Sequence, residues 1–82
     1  MSSAASMKAV RVETYAGYKG EQEPRVVWLD DGPHVVAGIG DRWFDPRFDA
    51  FSVRTTDGLR MLVQRDRAED RWYLVKVEPL DG

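Results

Sequence analysis

The sequence predicts an all-β fold: a small, SH3-like or related barrel of about five to six short antiparallel strands, with a meander over the last three. Three observations point there. Apolar and polar residues alternate with a period of two along most of the chain. Turn signals rich in Gly, Pro and Asp recur about every 8–12 residues. No 3.6-residue apolar stripe, heptad pattern or internal repeat competes with that reading. Six strands could also stack as a sandwich. Closure into a barrel is favoured in so short a chain because it removes exposed edges.

The elements follow in order. Residues 1–7 are expected to form a disordered lead-in, because Met1-Ser2-Ser3-Ala4-Ala5-Ser6-Met7 is small and polar. It lacks the basic start and apolar core of a signal peptide. Residues 8–79 are expected to form one domain and 80–82 a tail. Lys8 to Tyr15 alternates, with Val10 and Val12 on one face. Gly17 and Gly20 permit positive φ in the loop that follows. Pro24 lacks a donor N–H and marks the edge of the next strand.

Arg25–Leu29 and Val35–Ile39 form the next pair around Asp30-Asp31-Gly32-Pro33. A three-residue loop, Asp30-Asp31-Gly32, would send Val27, Leu29, Val35, Ala37 and Ile39 inward and pair Trp28 with His34 outside. A two-residue Asp31-Gly32 turn is the alternative. Phe51–Thr55 and Leu59–Val63 flank Thr56-Asp57-Gly58. A two-residue turn there mixes apolar and polar residues on each face. A three-residue loop pairs Val53 with Met61 and Phe51 with Val63, which keeps every strongly apolar residue on one side. That register needs Gly58 in the left-handed region as part of a bulge. The last strand, Arg71–Val77, is apolar on both faces, with Trp72 and Leu74 on one and Tyr73, Val75 and Val77 on the other. It is expected to be covered on both.

Composition narrows the function. An 82-residue chain buries only about 60–65% of its unfolded surface, so its core is thin. The absence of cysteine removes disulfides and thiolate metal sites and fits a reducing cytoplasm. No apolar run reaches the roughly 18–20 residues that span a bilayer, so no membrane partner is expected. Twelve basic and fourteen acidic residues give a net charge of −2, against a protein built mainly to neutralise phosphates. Nine of the twelve cations are Arg, which suits planar contacts but also follows from base composition.

The usual catalytic patterns are absent. No Gly-rich phosphate loop opens a helix and no nucleophile elbow occurs. His34 is the single histidine and reads as a surface residue beside a turn, not as a triad member or metal ligand. Asp30, Asp31, Asp41, Asp45 and Asp49 do not follow the spacing of a calcium loop, and Asp in turns ordinarily bends or caps the backbone. No enzyme activity, metal or cofactor is expected.

The stretch Ile39-Gly40-Asp41-Arg42-Trp43-Phe44-Asp45-Pro46 is the exception to simple periodicity. One reading makes Trp43 a plug in the barrel mouth, with Asp41 and Arg42 pairing across it, because a Trp supplies a large area to a thin core. The other makes the segment a surface patch of Arg42, Trp43, Phe44, Arg47 and Phe48, since Trp and Arg dominate binding hot spots. The first is favoured for Trp43. Arg42, Phe44, Arg47 and Trp28 are the candidate partner-binding residues; Trp43, Gly58, Gly32 and Trp72 are the structural ones.

Several of these motifs together resemble a known family. Tyr15-Ala16-Gly17-Tyr18-Lys19-Gly20-Glu21, Pro24-Arg25, Asp41-Arg42-Trp43, Asp57-Gly58 and Trp72-Tyr73-Leu74 look like a family of small bacterial domains of unknown function. From Asp41 to Pro46 onward the chain also resembles the C-terminal domain of ImuB-like proteins, inactive relatives of translesion polymerases. Gly40 departs from the pattern, where a bulkier apolar residue is expected. The resemblance spans roughly residues 15–77 and assigns no catalytic residue. It implies an accessory role, by analogy near DNA repair. Two functions follow as expectations: a non-catalytic protein-interaction module, or a nucleic-acid accessory domain in which Arg42, Arg47, Arg54 and Arg60 track phosphates while Trp28 or Phe44 stacks on bases. Oligomeric state is left open.

Overall fold

The computed structural model describes residues 7–16 and 22–80. Most of the expected lead-in, the Gly17–Gly20 loop and the last two residues lie outside them. Six strands run in order: β1 Lys8–Ala16, β2 Gln22–Leu29, β3 Gly32–Phe44, β4 Phe48–Thr55, β5 Leu59–Asp66 and β6 Arg71–Pro79. Each pairs antiparallel with the next, and β6 pairs with β1. The sheet is therefore a closed barrel. The meander expected over the last three strands continues round all six. No helix among the described residues is long and apolar enough to cross a membrane.

The core is the barrel interior. Val27, Phe51, Val53, Met61, Val63 and Trp72 are buried together, and Val10, Val12, Leu29, Val36, Ile39, Leu59 and Leu74 pack around them. Phe51 and Trp72 stack at a tilt with ring centroids 5.7 Å apart. The β4–β5 hairpin has the three-residue register: Phe51 opposes Val63 and Val53 opposes Met61. Gly58 has φ +90°. The Thr55 hydroxyl accepts from Leu59 N at 3.0 Å and closes the loop.

The β2–β3 hairpin corrects the expectation. Its turn is Asp30-Asp31, with Leu29 opposite Gly32, Trp28 opposite Pro33 and Val27 opposite His34. Gly32, at φ +123°, begins the new strand. A one-residue slip exchanges the faces of a strand, so His34 turns inward and is only 6% exposed, while Val35 is 49% exposed. Val36 takes its place against the core. The slip is tolerated because the buried imidazole is fully hydrogen-bonded, which offsets its desolvation.

β3 then runs to Phe44, well beyond the expected end at Ile39, because register shifts between Val36 and Gly38 and between Ile39 and Asp41 keep it in step with β4. Bulges of this kind bend a strand and re-aim its side chains. Gly40 lies in the second, and a Cβ there would meet Ser52 O at an ordinary 3.6 Å. Pro24 is fully buried and stands opposite Thr14, where the β1–β2 register shifts and no ladder N–H is required.

β6 is the other correction. Its outer face is not covered by a second layer among the described residues. Leu62 opposes Lys76 and Val63 opposes Leu74, which leaves Val75 in a bulge. Val77 is exposed. The barrel buries one face of each strand, and the apolar residues of the outer face remain at its surface.

Candidate interaction surface

Asp45-Pro46-Arg47-Phe48 turns β3 into β4. Phe48 N donates to Asp45 O at 3.2 Å and Asp45 N donates to Phe48 O at 2.8 Å. The Asp45 carboxylate accepts from Arg47 N at 3.0 Å. Asp at the first turn position and Pro at the second fit that geometry, Asp by bonding the backbone two residues on and Pro by its fixed φ.

The turn sets the last residues of β3 on opposite faces. Arg42 opposes Phe51, Trp43 opposes Ala50 and Phe44 opposes Asp49. Trp43 therefore lies on the outer face beside small, buried Ala50, and it is 48% exposed. It does not plug the barrel mouth, because the ladder gives the inward positions to its neighbours. Phe44 sits at the rim instead, edge-on to Phe51 with centroids 6.2 Å apart, and is 58% exposed. Trp72, placed with the structural residues, is buried in the core.

Two depressions flank Trp43. The larger, about 640 Å³, is an open groove bounded by Arg42, Trp43, Phe44, Asp45, Phe48, Ala50, Leu62 and Gln64. The smaller, about 160 Å³, lies between Trp43, Ser52, Leu62, Arg60 and Lys76. Leu62, Gln64 and Lys76 were not among the sequence candidates; Arg60 was, as one of the arginines expected to track phosphates. One signal could have found Leu62: the register that buries Met61 and Val63 leaves this leucine on the solvent face.

The other candidates lie elsewhere or have other work. The Arg42 guanidinium bonds Glu23 at 2.6 Å, not Asp41. The β2–β3 ladder stops at Val26 opposite Val35, and beyond it the strands part around a cleft of about 310 Å³. Arg42–Glu23 is a strut between β3 and the start of β2. Arg47 is exposed on the turn. Trp28 stands at the opposite end of β3, opposite Pro33, where its Nε1 donates to Glu13 at 2.8 Å and Arg11 covers its ring at 5.1 Å. The structure does not bring Trp28 to the Trp43 surface.

Charges of both signs are interleaved. Arg60 lies near Glu78, Arg65 between Asp49 and Asp70, and Arg67 on Asp49. The aspartates noted in the sequence are dispersed: Asp30 pairs with Lys8, Asp31 with His34, Asp45 with its own turn and Asp49 with the two arginines. Among the described residues no group of three or more His, Cys, Asp or Glu is placed to hold a metal ion.

His34 corrects the surface reading a second time. Its ring nitrogens meet Asp57 at 2.6 Å and Asp31 at 2.8 Å. The hydrogen bond to Asp31 raises its pKa, burial opposes the rise, and the bond to Asp57 adds to it. Asp31 is lowered chiefly by the His34 bond. Asp57 is lowered first by the Thr55 hydroxyl and then by His34. Tyr73 is raised by its 3.0 Å bond to the Glu69 carboxylate. With both nitrogens engaged, His34 has no free position for base or metal chemistry. No protein-family model matches the chain, and neither does any curated protein or solved structure.

Proposed function

We propose that this protein is a non-catalytic interaction module that holds a protein partner against the outer face of β3–β5, with Trp43 as the anchor. The observation that carries the reading is the half-exposed Trp43 between two depressions. Exposed Trp is the side chain most enriched among binding hot spots, and a thin-cored domain that leaves one outside forgoes considerable burial. Leu62, Phe48 and Ala50 extend the apolar floor, and Arg42 and Phe44 line it beside Trp43. Interleaved charges suit a protein partner better than a polyanion. The absence of cysteine supports a reducing cytoplasm as the compartment.

A nucleic-acid accessory role, near DNA repair as the ImuB-like resemblance implies, is the second reading. The observation favouring it is that Arg60 and Lys76 line the depression beside Trp43, the cation and aromatic pairing that single strands use. Glu78 lies 3.9 Å from Arg60 and 3.7 Å from Lys76 and offsets both. With net charge −2, duplex DNA should bind no tighter than roughly 10⁻⁴ M at physiological salt. Fluorescence anisotropy with a labelled duplex measures this, and submicromolar, steeply salt-dependent binding would shift the reading to nucleic acid.

The direct test is affinity capture from host lysate with and without nuclease, using wild type, Trp43→Ala, Leu62→Asp and Trp28→Phe. The expected result is a protein retained after nuclease treatment and by Trp28→Phe, but lost with Trp43→Ala and Leu62→Asp. Retention by both of those variants removes the proposed surface.

A further inference from the structure

The β2–β3 and β4–β5 turns lie at the same end of the barrel, and one buried side chain joins them. His34 Nδ1 is 2.6 Å from Asp57 Oδ2, and Nε2 is 2.8 Å from Asp31 Oδ1. An ionised carboxylate only accepts hydrogen bonds, and a neutral imidazole carries one N–H. A neutral ring would therefore satisfy one contact and set lone pairs against each other at the second. Two short contacts to two carboxylates call for an imidazolium.

We infer that this is a pH-operated clasp: His34, protonated on both nitrogens, ties the β2–β3 turn to the β4–β5 turn, and loss of one proton frees the Asp31 side.

The asymmetry follows from what else holds each carboxylate. Asp57 Oδ1 accepts the Thr55 hydroxyl at 2.5 Å, and Thr56 N donates to Val35 O at 2.8 Å. The β4–β5 turn is thus braced without the histidine. Asp31 has His34 as its only ion-pair partner among the described residues, and its carboxylate is largely exposed. The charged groups on the ring are Asp31 from one turn and Asp57 from the other. Val27 across β2 and Thr55 on β4 bring no charge. Asp30, next to Asp31, is turned to Lys8 at 2.7 Å.

The direction of opening follows. Both carboxylates favour the charged ring, and His34 is raised above its ordinary 6.5. A raised folded value means that the stabilisation is complete below 6.5 and is lost as pH rises through the folded value. The clasp is shut while the ring is protonated and both carboxylates are ionised, and it opens as pH rises through the His34 value.

His34 is the single histidine, so its ring signals in NMR need no assignment by mutation. The experiment is a pH titration of the whole chain as wild type, Asp31→Asn and Asp57→Asn, following the ring 15N and C–H signals and the backbone amides of residues 30–32. Expected for wild type are two protonated nitrogens below the midpoint, a midpoint above 6.5, and amide shifts of the β2–β3 turn with that same midpoint. Each Asn variant should lower the midpoint. A wild-type midpoint at or below 6.5 overturns the clasp without recourse to a variant. So does a midpoint that neither variant moves, or turn amides that ignore the ring.

Discussion

At the Gly32 end of β3 a histidine is buried between two carboxylates; at the Phe44 end two aromatic rings stand half in solvent. A residue-by-residue hydrophobicity ranking would reverse these placements. Burial here follows partners and ladder phase rather than residue type. His34 is inside because both nitrogens have acceptors. Trp43 is outside because its position in the ladder faces away from Phe51. Among the described residues no buried side-chain nitrogen or oxygen lacks a hydrogen-bond partner, so the polar end is consistent with folding. The aromatic end is the one left over, and for that reason it is the candidate for function.

The largest expected contrast is between two tryptophans. Trp72→Ala, with its ring packed on Phe51, should destabilise by about 3–5 kcal/mol. Trp43→Ala should change stability by no more than about 0.5 kcal/mol. Urea denaturation of the two variants beside wild type decides it. Equal losses would make the aromatic end part of the core and end the distinction between the two regions.

Glycine separates the ends next. Gly32 and Gly58 have φ of +123° and +90°, and a Cβ at either would meet nothing within 4 Å. Any cost of Gly32→Ala or Gly58→Ala is therefore backbone strain, about 1 kcal/mol or more at each. The aromatic end turns on Asp45-Pro46 and needs no such glycine. Phe44→Ala belongs at a similar level, about 1 kcal/mol, from loss of its edge-on contact with Phe51. A chemical-denaturation midpoint unchanged in Gly58→Ala would contradict the three-residue loop as drawn.

The two ends should also differ in acid. Asp31 and Asp57 have lowered pKa values in the folded chain. Their contribution is present above the ordinary carboxylate value of 3.8 and is lost as pH falls through the lowered folded values. Thermal melts of wild type between pH 2 and 6 should show that loss, and Asp31→Asn should flatten it. A melting profile identical in the two proteins would remove Asp31 from the clasp.

The smallest effect is expected for the strut. Arg42 and Glu23 are both partly exposed, and such pairs contribute about 0.5 kcal/mol, less at high salt. Arg42→Ala should shift the melting temperature slightly at low salt and hardly at all at high salt, without loss of the captured partner. Loss of capture with unchanged stability would make Arg42 a contact to the partner.

Much of this was legible in the chain. Alternation and turn spacing carry the strands, because a pleated strand must show a period of two to a single core. Pairing of Phe51 with Val63 and Val53 with Met61 could be read from sequence because one register alone gathers all the strong apolar residues. The β2–β3 register could not be read that way. Its inner face includes His34, whose acceptor Asp57 is 23 residues away, and no local pattern announces a partner at that separation. The same limit applies to Trp43. Two bulges in β3 and one in β6 set the phase of the outer face, and a bulge adds one residue without changing composition. Periodicity and turn chemistry thus determined that this chain closes a β-barrel. Which polar groups could be buried, and which aromatics were left outside, was decided by contacts between distant strands, since hydrogen-bond satisfaction and ladder phase exist only once the barrel has closed.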